Sequence, residues 1–180
     1  NTGWSFYSDG RFVISGTGAT LDCSSSDAIN GNLEWSDLRV DVTSIIVEEG
    51  ITAIGKYNCY GFENATQLTI AEGVTTIGIR SFANCTSLSD IKLPESLTTI
   101  NNYAFYSCDS LKQISIPKSV IKIGTNAFSS RYNNLTTVFY GGTKSDWDNI
   151  EMNKEYNNEL INAKLFCEYV PESGSGIIDV

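Results

Sequence analysis

The stretch Val74-Thr75-Thr76-Ile77-Gly78…Phe82…Cys85…Leu88…Ile91…Leu93-Pro94 returns 23 residues later as Leu97-Thr98-Thr99-Ile100…Phe105…Cys108…Leu111…Ile114…Ile116-Pro117. A third copy, Val120…Ile123-Gly124…Phe128, carries Leu135, Val138 and Tyr140 one position late, because Arg131-Tyr132-Asn133-Asn134 holds an inserted residue. Upstream, the same columns read Ile51…Ile54-Gly55…Cys59…Phe62…Ala65…Leu68…Ile70, preceded by Val42…Ile45…Val47. A strict period in the twenties specifies a solenoid, in which each unit buries its apolar columns against the next.

Each coil reads as two short extended pieces. In Leu88-Ser89-Asp90-Ile91-Lys92-Leu93 the first, fourth and sixth side chains point inward, and Val74–Ile77 supplies a shorter second piece. Coils stacked at the strand spacing of about 4.8 Å pair equivalent strands as a parallel β-ladder. About five coils are expected, with ladder strands at 42–47, 65–70, 88–93, 111–116 and 135–140. Phe82, Phe105 and Phe128 should stack on the opposite wall, each behind a small residue (Ser81, Ala104, Ala127). In the first full coil Cys59 stands in the phenylalanine column and Phe62 in the thiol column, an exchange that roughly conserves volume. Gly55, Gly78 and Gly124, with Asn101 once in their place, read as turn residues chosen for positive φ. Pro94 and Pro117 follow ladder strands, where no further backbone donor is expected to be needed.

The flanks differ from the repeats. Residues 1–41 form an N-terminal cap: Trp4 to Gly16 alternates around Asp9-Gly10 as a β-hairpin, a Gly/Ser-rich stretch follows from Gly16 to Ser26, and Leu33 to Val40 has helical spacing. Trp4 and Trp35 are expected to plug the open end of the first coil. The repeats occupy 42–140 and a C-terminal cap 141–170, in which Thr143 or Ser145 caps a short helix presenting Trp147 and Ile150 inward and 163–169 alternates as a closing strand. Residues 171–180, Pro-Glu-Ser-Gly-Ser-Gly-Ile-Ile-Asp-Val, have linker composition.

Composition narrows the function. With 41% hydrophobic residues the chain can bury a core, and it carries neither an apolar run long enough to span a bilayer nor the start of a signal peptide. The net charge of −9 divides unevenly. Residues 1–41 hold six acids against two bases, 42–140 seven of each, and 141–180 eight against three. A neutral repeat region between acidic ends argues against a nucleic-acid backbone or an anionic membrane as partner. With five cysteines, no Cys-x-x-Cys pair and no histidine, zinc sites and Ser-His or Cys-His catalysis are excluded, and no cofactor or metal site is expected. Cys85 and Cys108 share a column in neighbouring coils, within reach of a disulfide, but read first as soft buried fillers. Cys23 and Cys167 lie in opposite flanks, too far apart to pair. The column Glu49, Glu72, Glu95 reads as a solvated edge rather than a general acid/base or calcium site. The sequons at Asn64, Asn84 and Asn134 are matches expected by chance in a chain rich in Asn and Thr.

The unit Ile/Leu-x-x-Ile-Gly-x-x-Ala/Ser-Phe-x-x-Cys-x-x-Leu-x-x-Ile-x-Ile/Leu-Pro, taken from residues 74–117, resembles the BspA-like class of bacterial leucine-rich-repeat proteins. The lead-in Trp4…Gly10…Phe12…Ile14-Ser15-Gly16-Thr17-Gly18 and the exit Tyr140-Gly141-Gly142-Thr143-Lys144-Ser145-Asp146-Trp147…Ile150 agree with it, so the resemblance covers residues 4–169. Cys59 for phenylalanine, Asn101 for glycine and the residue inserted before Leu135 are its departures. It implies a leucine-rich-repeat solenoid, a secreted or surface-displayed protein of a host-associated bacterium, and a binding or adhesion role without catalytic residues.

The binding reading falls on the outward positions of the ladder. These are Thr43, Ser44 and Ile46; Thr66, Gln67 and Thr69; Ser89, Asp90 and Lys92; Lys112, Gln113 and Ser115; Thr136, Thr137 and Phe139. The last four coils supply the candidate ligand-binding residues, rich in hydroxyls, with a mixed-charge cluster at Asp90, Lys92 and Lys112. Such a surface suits a host or bacterial surface protein or a glycan, although it shows no aromatic platform for sugar stacking. The alternative is a structural spacer or display stalk. Catalysis has no supporting constellation.

Overall fold

The computed structural model describes residues 1–132 and 134–169; residue 133 and residues 170–180, which include the linker read at 171–180, lie outside the described residues. Chain order runs β1 (Thr2–Phe6), β2 (Arg11–Gly16), β3 (Gly18–Ala19), helix α1 (Ser25–Asn30), β4 (Ser44–Val47), β5 (Ile51–Ile54), β6 (Gln67–Ile70), β7 (Thr76–Ile77), β8 (Asp90–Lys92) and β9 (Thr99–Ile100). It continues through β10 (Gln113–Ile116), β11 (Lys122–Ile123), β12 (Thr137–Tyr140), α2 (Lys144–Asp148), β13 (Glu151–Met152), α3 (Asn158–Asn162) and β14 (Lys164–Phe166). In the first ladder β2, β4, β6 and β8 pair in parallel, with β1 antiparallel at the edge, and β10, β12 and β14 form a second block. The second ladder is unbroken, running β3, β5, β7, β9, β11, β13.

Register follows the sequence period. Ile45 lies opposite Leu68 and Leu68 opposite Ile91, all buried, while Ile114 lies opposite Val138 despite the inserted residue between them. The predicted ladder strands are found at their expected places, trimmed by about two residues at their starts. The amides of Thr66, Ser89 and Thr136 still bond to the coil below, at 2.9, 3.1 and 2.9 Å.

Both caps do more than plug. The hairpin forms as expected, but β2 also pairs with β4, placing Phe12 opposite Ile45, and β3 joins the second ladder beside β5. At the other end β13 and β14 extend the two ladders. The caps therefore satisfy the backbone groups that a terminal coil would leave unpaired. Thr143 is the N-cap of α2 in a capping box: its hydroxyl accepts from the Asp146 amide at 3.2 Å and its amide donates to the Asp146 carboxylate at 2.9 Å. The Thr143 hydroxyl also donates to that carboxylate and holds its pKa below the usual range. Trp147 and Ile150 are buried as expected.

The helical reading of Leu33–Val40 is corrected. Only a 3-10 turn forms, at Ser36–Leu38, where the amides of Ser36, Leu38 and Asp41 donate to carbonyls three residues back, not four, at 2.9–3.0 Å. The helix of this cap is α1, started by Ser24, whose hydroxyl accepts from the Asp27 amide, and stopped by Gly31 at φ 74°. Trp4 and Trp35 are half-buried around Phe12.

The phenylalanine column is present: Phe82 and Phe105 stack at 5.3 Å between ring centroids, and Phe105 and Phe128 at 5.1 Å. The Cys59/Phe62 exchange gains a purpose, since Phe62 meets Phe12 of the hairpin edge-on at 4.8 Å and links the first repeat to the cap. All five cysteines are free. The Cys85 thiol donates to the carbonyl of Cys59 (3.2 Å) and Cys108 to that of Phe82 (3.4 Å), so the thiols fill space and tie adjacent coils. Burial pushes the Cys85 thiol up to about 12, and those of Cys59 and Cys108 well above the ordinary value.

The glycine reading is also corrected. Gly55, Gly78 and Gly124 lie outside the left-handed region; a Cβ there would sit 2.4–2.6 Å from Leu21 O, Ile54 O or the Asn102 amide, so close coil-to-coil approach selects glycine. Positive φ falls two residues later, at Tyr57, Arg80, Tyr103 and Asn126. The prolines likewise differ from expectation. At equivalent positions Glu48, Ala71 and Gly141 donate to Ile14, Val47 and Ile116 at 2.9–3.0 Å, so a donor is used wherever the chain has one. Pro94 and Pro117 delete that bond twice in succession.

Candidate functional site

On the ladder face, three outward columns run across the strands. Thr66, Ser89 and Thr136 occupy the column just before the strands, and their hydroxyls donate to the carbonyls of Thr43, Thr66 and Lys112 at 3.4, 3.5 and 3.1 Å. These three predicted ligand groups are thus already used in tying coils together. Next comes the column Ser44, Gln67, Asp90, Gln113, Thr137, Lys164, and then Ile46, Thr69, Lys92, Ser115, Phe139, Phe166. Gln67, Thr69, Asp90, Lys92, Lys112 and Gln113 are exposed, and their side chains have no hydrogen-bond or ion-pair partner among the described residues. Ser115 and Thr137 are half-buried between strands.

The interruption of the first ladder lies at this cluster. Among the described residues no strand pairing joins β8 to β10, and Lys112 makes no counterpart of the rung bonds that Thr66, Ser89 and Thr136 make to the coil below. Pro117 removes the next donor on the same seam. Asp90, Lys92, Lys112 and Gln113 therefore flank a break in the strand pairing.

Phe139 departs from the expectation of a bare apolar side chain. It is half-buried, stacked on Phe166 at 5.3 Å and tilted against Tyr169 at 4.6 Å, with the Lys164 ammonium 4.5 Å from the Phe166 ring centre. The face consequently has an aromatic platform at its C-terminal end, contrary to the sequence reading. Lys164, Phe166 and Tyr169 were missed as neighbours of the candidate residues, although the alternation over 163–169 marks the strand that brings them there. Ile46, the other outward apolar residue, is half-buried beside Val13 of the hairpin.

The glutamate column is more than a solvated edge. The Glu72 carboxylate accepts from the amides of Glu95 (2.9 Å) and Ser96 (3.1 Å), capping the next coil. The three sequon asparagines also bind between segments: the amide of Asn64 donates to Val40 O, that of Asn84 to the Tyr60 hydroxyl, and that of Asn134 to Asp109 O. Among the described residues no group of three or more His, Cys, Asp or Glu side chains is placed to hold a metal ion, and no helix is long and apolar enough to cross a membrane.

A pleated face of mixed polar residues on stacked 23-residue coils, capped at both ends, defines a repeat scaffold. Residues 38–160 match the BspA type leucine rich repeat region in six copies, and the chain belongs to that family. Its fold is similar to that of a leucine-rich repeat protein from Eubacterium ventriosum, at 28% identity and a TM-score of 0.58, over 81% of this chain and 42% of that one. The T. pallidum leucine rich repeat protein aligns at 22% identity and 0.57 over 77% of this chain and 68% of its own. A leucine-rich repeat protein from Bacteroides ovatus aligns at 23% and 0.57 over 87% and 42%. The chain thus spans less than half the length of the Eubacterium and Bacteroides proteins. No curated protein matches it.

Proposed function

We propose that the chain is a non-catalytic binding or adhesion module of a secreted or surface-displayed bacterial protein, and that it engages a protein ligand through the C-terminal half of the ladder face. The observation that carries this reading is the coincidence of the break in the ladder with four polar side chains without partners among the described residues, Asp90, Lys92, Lys112 and Gln113, near the Phe139, Phe166 and Tyr169 cluster. Aromatic anchors bordered by polar groups with free hydrogen-bonding capacity have the composition of a protein-binding hot spot and its rim. Family membership supports the surface-exposed role, and the neutral charge of the repeats suits a partner of mixed charge.

A panel of immobilised extracellular-matrix proteins and glycans identifies the ligand, and the double variant K92E/K112E then tests the face. Both lysines are exposed and unpaired, so the melting temperature should hold while attachment falls about tenfold. Unchanged attachment would eliminate this face; attachment to glycans alone would replace the protein partner. A display stalk would bind nothing on the panel.

A further inference from the structure

The N-terminal cap forms an open cleft of about 440 Å³ that no part of the repeat scaffold requires. This volume is within the range of small-ligand sites, about 300–1,000 Å³. Its walls include Trp4, stacked on Phe12 at 5.5 Å, and Trp35, edge-on to Trp4 at 5.7 Å. The Trp35 indole N–H is buried without a hydrogen-bond partner among the described residues. Three acids, Asp22, Asp27 and Glu34, also line the space, and no Lys or Arg does.

The acids differ in what answers them. Asp22 accepts from the Lys56 amide at 2.8 Å and pairs with its ammonium at 2.9 Å. Asp27 accepts the Ser24 hydroxyl. Glu34 has no hydrogen-bond or ion-pair partner among the described residues. Anions are therefore disfavoured here, whereas aromatic faces beside carboxylates attract a cation through both the ring quadrupole and direct pairing. A neutral sugar would use the rings but leave Glu34 without a counter-charge.

We propose that this cleft is a second binding site, separate from the ladder face, which takes a lysine side chain of a protein partner: the alkyl stem lies against Trp4 and Trp35, and the ammonium meets Glu34 and Asp27. Burial of a long aliphatic stem with its charged end at a carboxylate rim suits the division of this lining into rings and acids.

The test is a titration of the chain with N-acetyl-lysine methylamide, followed by the indole N–H resonances in a nitrogen–proton NMR spectrum. Trp4 and Trp35 should shift and saturate at roughly millimolar concentration, while Trp147, buried in the opposite cap, stays fixed. The Nε-acetylated form of the same probe should leave all three unchanged. E34Q removes an exposed charge, so the melting temperature should hold while affinity falls about threefold. W35F keeps an aromatic face but removes the Trp35 N–H, so Trp4 alone should report binding, and loss of all shift at Trp4 in a folded W35F chain would count against the proposal. K92E/K112E should bind the probe as the parent does, so failure here and failure of the ladder-face reading are distinguishable. Equal binding of the acetylated form, binding of methyl glucoside in place of the amine, indifference to E34Q, or an absence of saturable shifts would each overturn the proposal.

Discussion

The two ends of the solenoid solve one problem in different ways. At the C-terminal end Trp147 meets Tyr140 edge-on at 5.3 Å, Leu160 is buried, and the Asn157 amide donates to Gly124 O and Asn153 O while its oxygen accepts from the Ala127 amide. This end is sealed by side chains. At the N-terminal end Trp4, Phe12 and Trp35 build walls and leave the space between them open to solvent. A solenoid needs its last core layer covered, but nothing in that requirement demands a hollow cover. The difference separates a cap serving stability from one with room for a ligand.

The largest expected effect bears directly on that contrast. Trp147→Ala should cost about 3–5 kcal/mol in chemical denaturation, as expected for removing a fully buried aromatic. Trp4→Ala, at a half-buried wall, should cost about 1–2 kcal/mol. Equal costs would mean that the N-terminal cap is as tightly sealed as the other.

The middle differs from both ends in its thiols. Cys59, Cys85 and Cys108 stay protonated in the folded chain above pH 9, where the unfolded chain releases those protons. The folded state then binds more protons than the unfolded state, so stability falls as pH rises from about 9 towards 12, by about 1.4 kcal/mol per unit for each such thiol. Thermal unfolding at pH 7 to 10 measures this, and native alkylation should label the half-buried Cys23 and Cys167 before the other three. A melting temperature flat to pH 10 would count against the buried-thiol account. The smallest effect compares two helix starts: Thr143→Ala, which breaks a full capping box, should cost about 1 kcal/mol, and Ser24→Ala about half that.

The repeat was legible because every inward column recurs at a fixed offset, so Phe82, Phe105 and Phe128 could be stacked before any coordinate was known. What was not legible depends on partners remote in sequence. Gly78 looks like a turn glycine until Ile54 O is found against it. Phe139 looks exposed until Phe166 and Tyr169, some thirty residues on, return to cover it. The gap beside Lys112 is a missing bond between coils, and Pro117 alone announces only half of it. Helix α1 is a different case: Ser24, Asp27 and Gly31 state its start and end, but the apolar spacing of Leu33 to Val40 drew attention to the wrong segment. Within the candidate site, the six unpaired side chains were readable as outward positions, whereas the inward ties of Thr66, Ser89 and Thr136 were not.

The interrupted first ladder, set against a second ladder that never breaks, has a mechanical consequence. A bend that draws β8 and β10 apart along that seam ruptures no strand pairing, while the strip from β3 to β13 remains joined like the spine of a book. Bending there is resisted by the second ladder and by the Ser110 amide bond to Thr86 O (3.0 Å), and Asp90, Lys92, Lys112 and Gln113 stand at the lip of that seam.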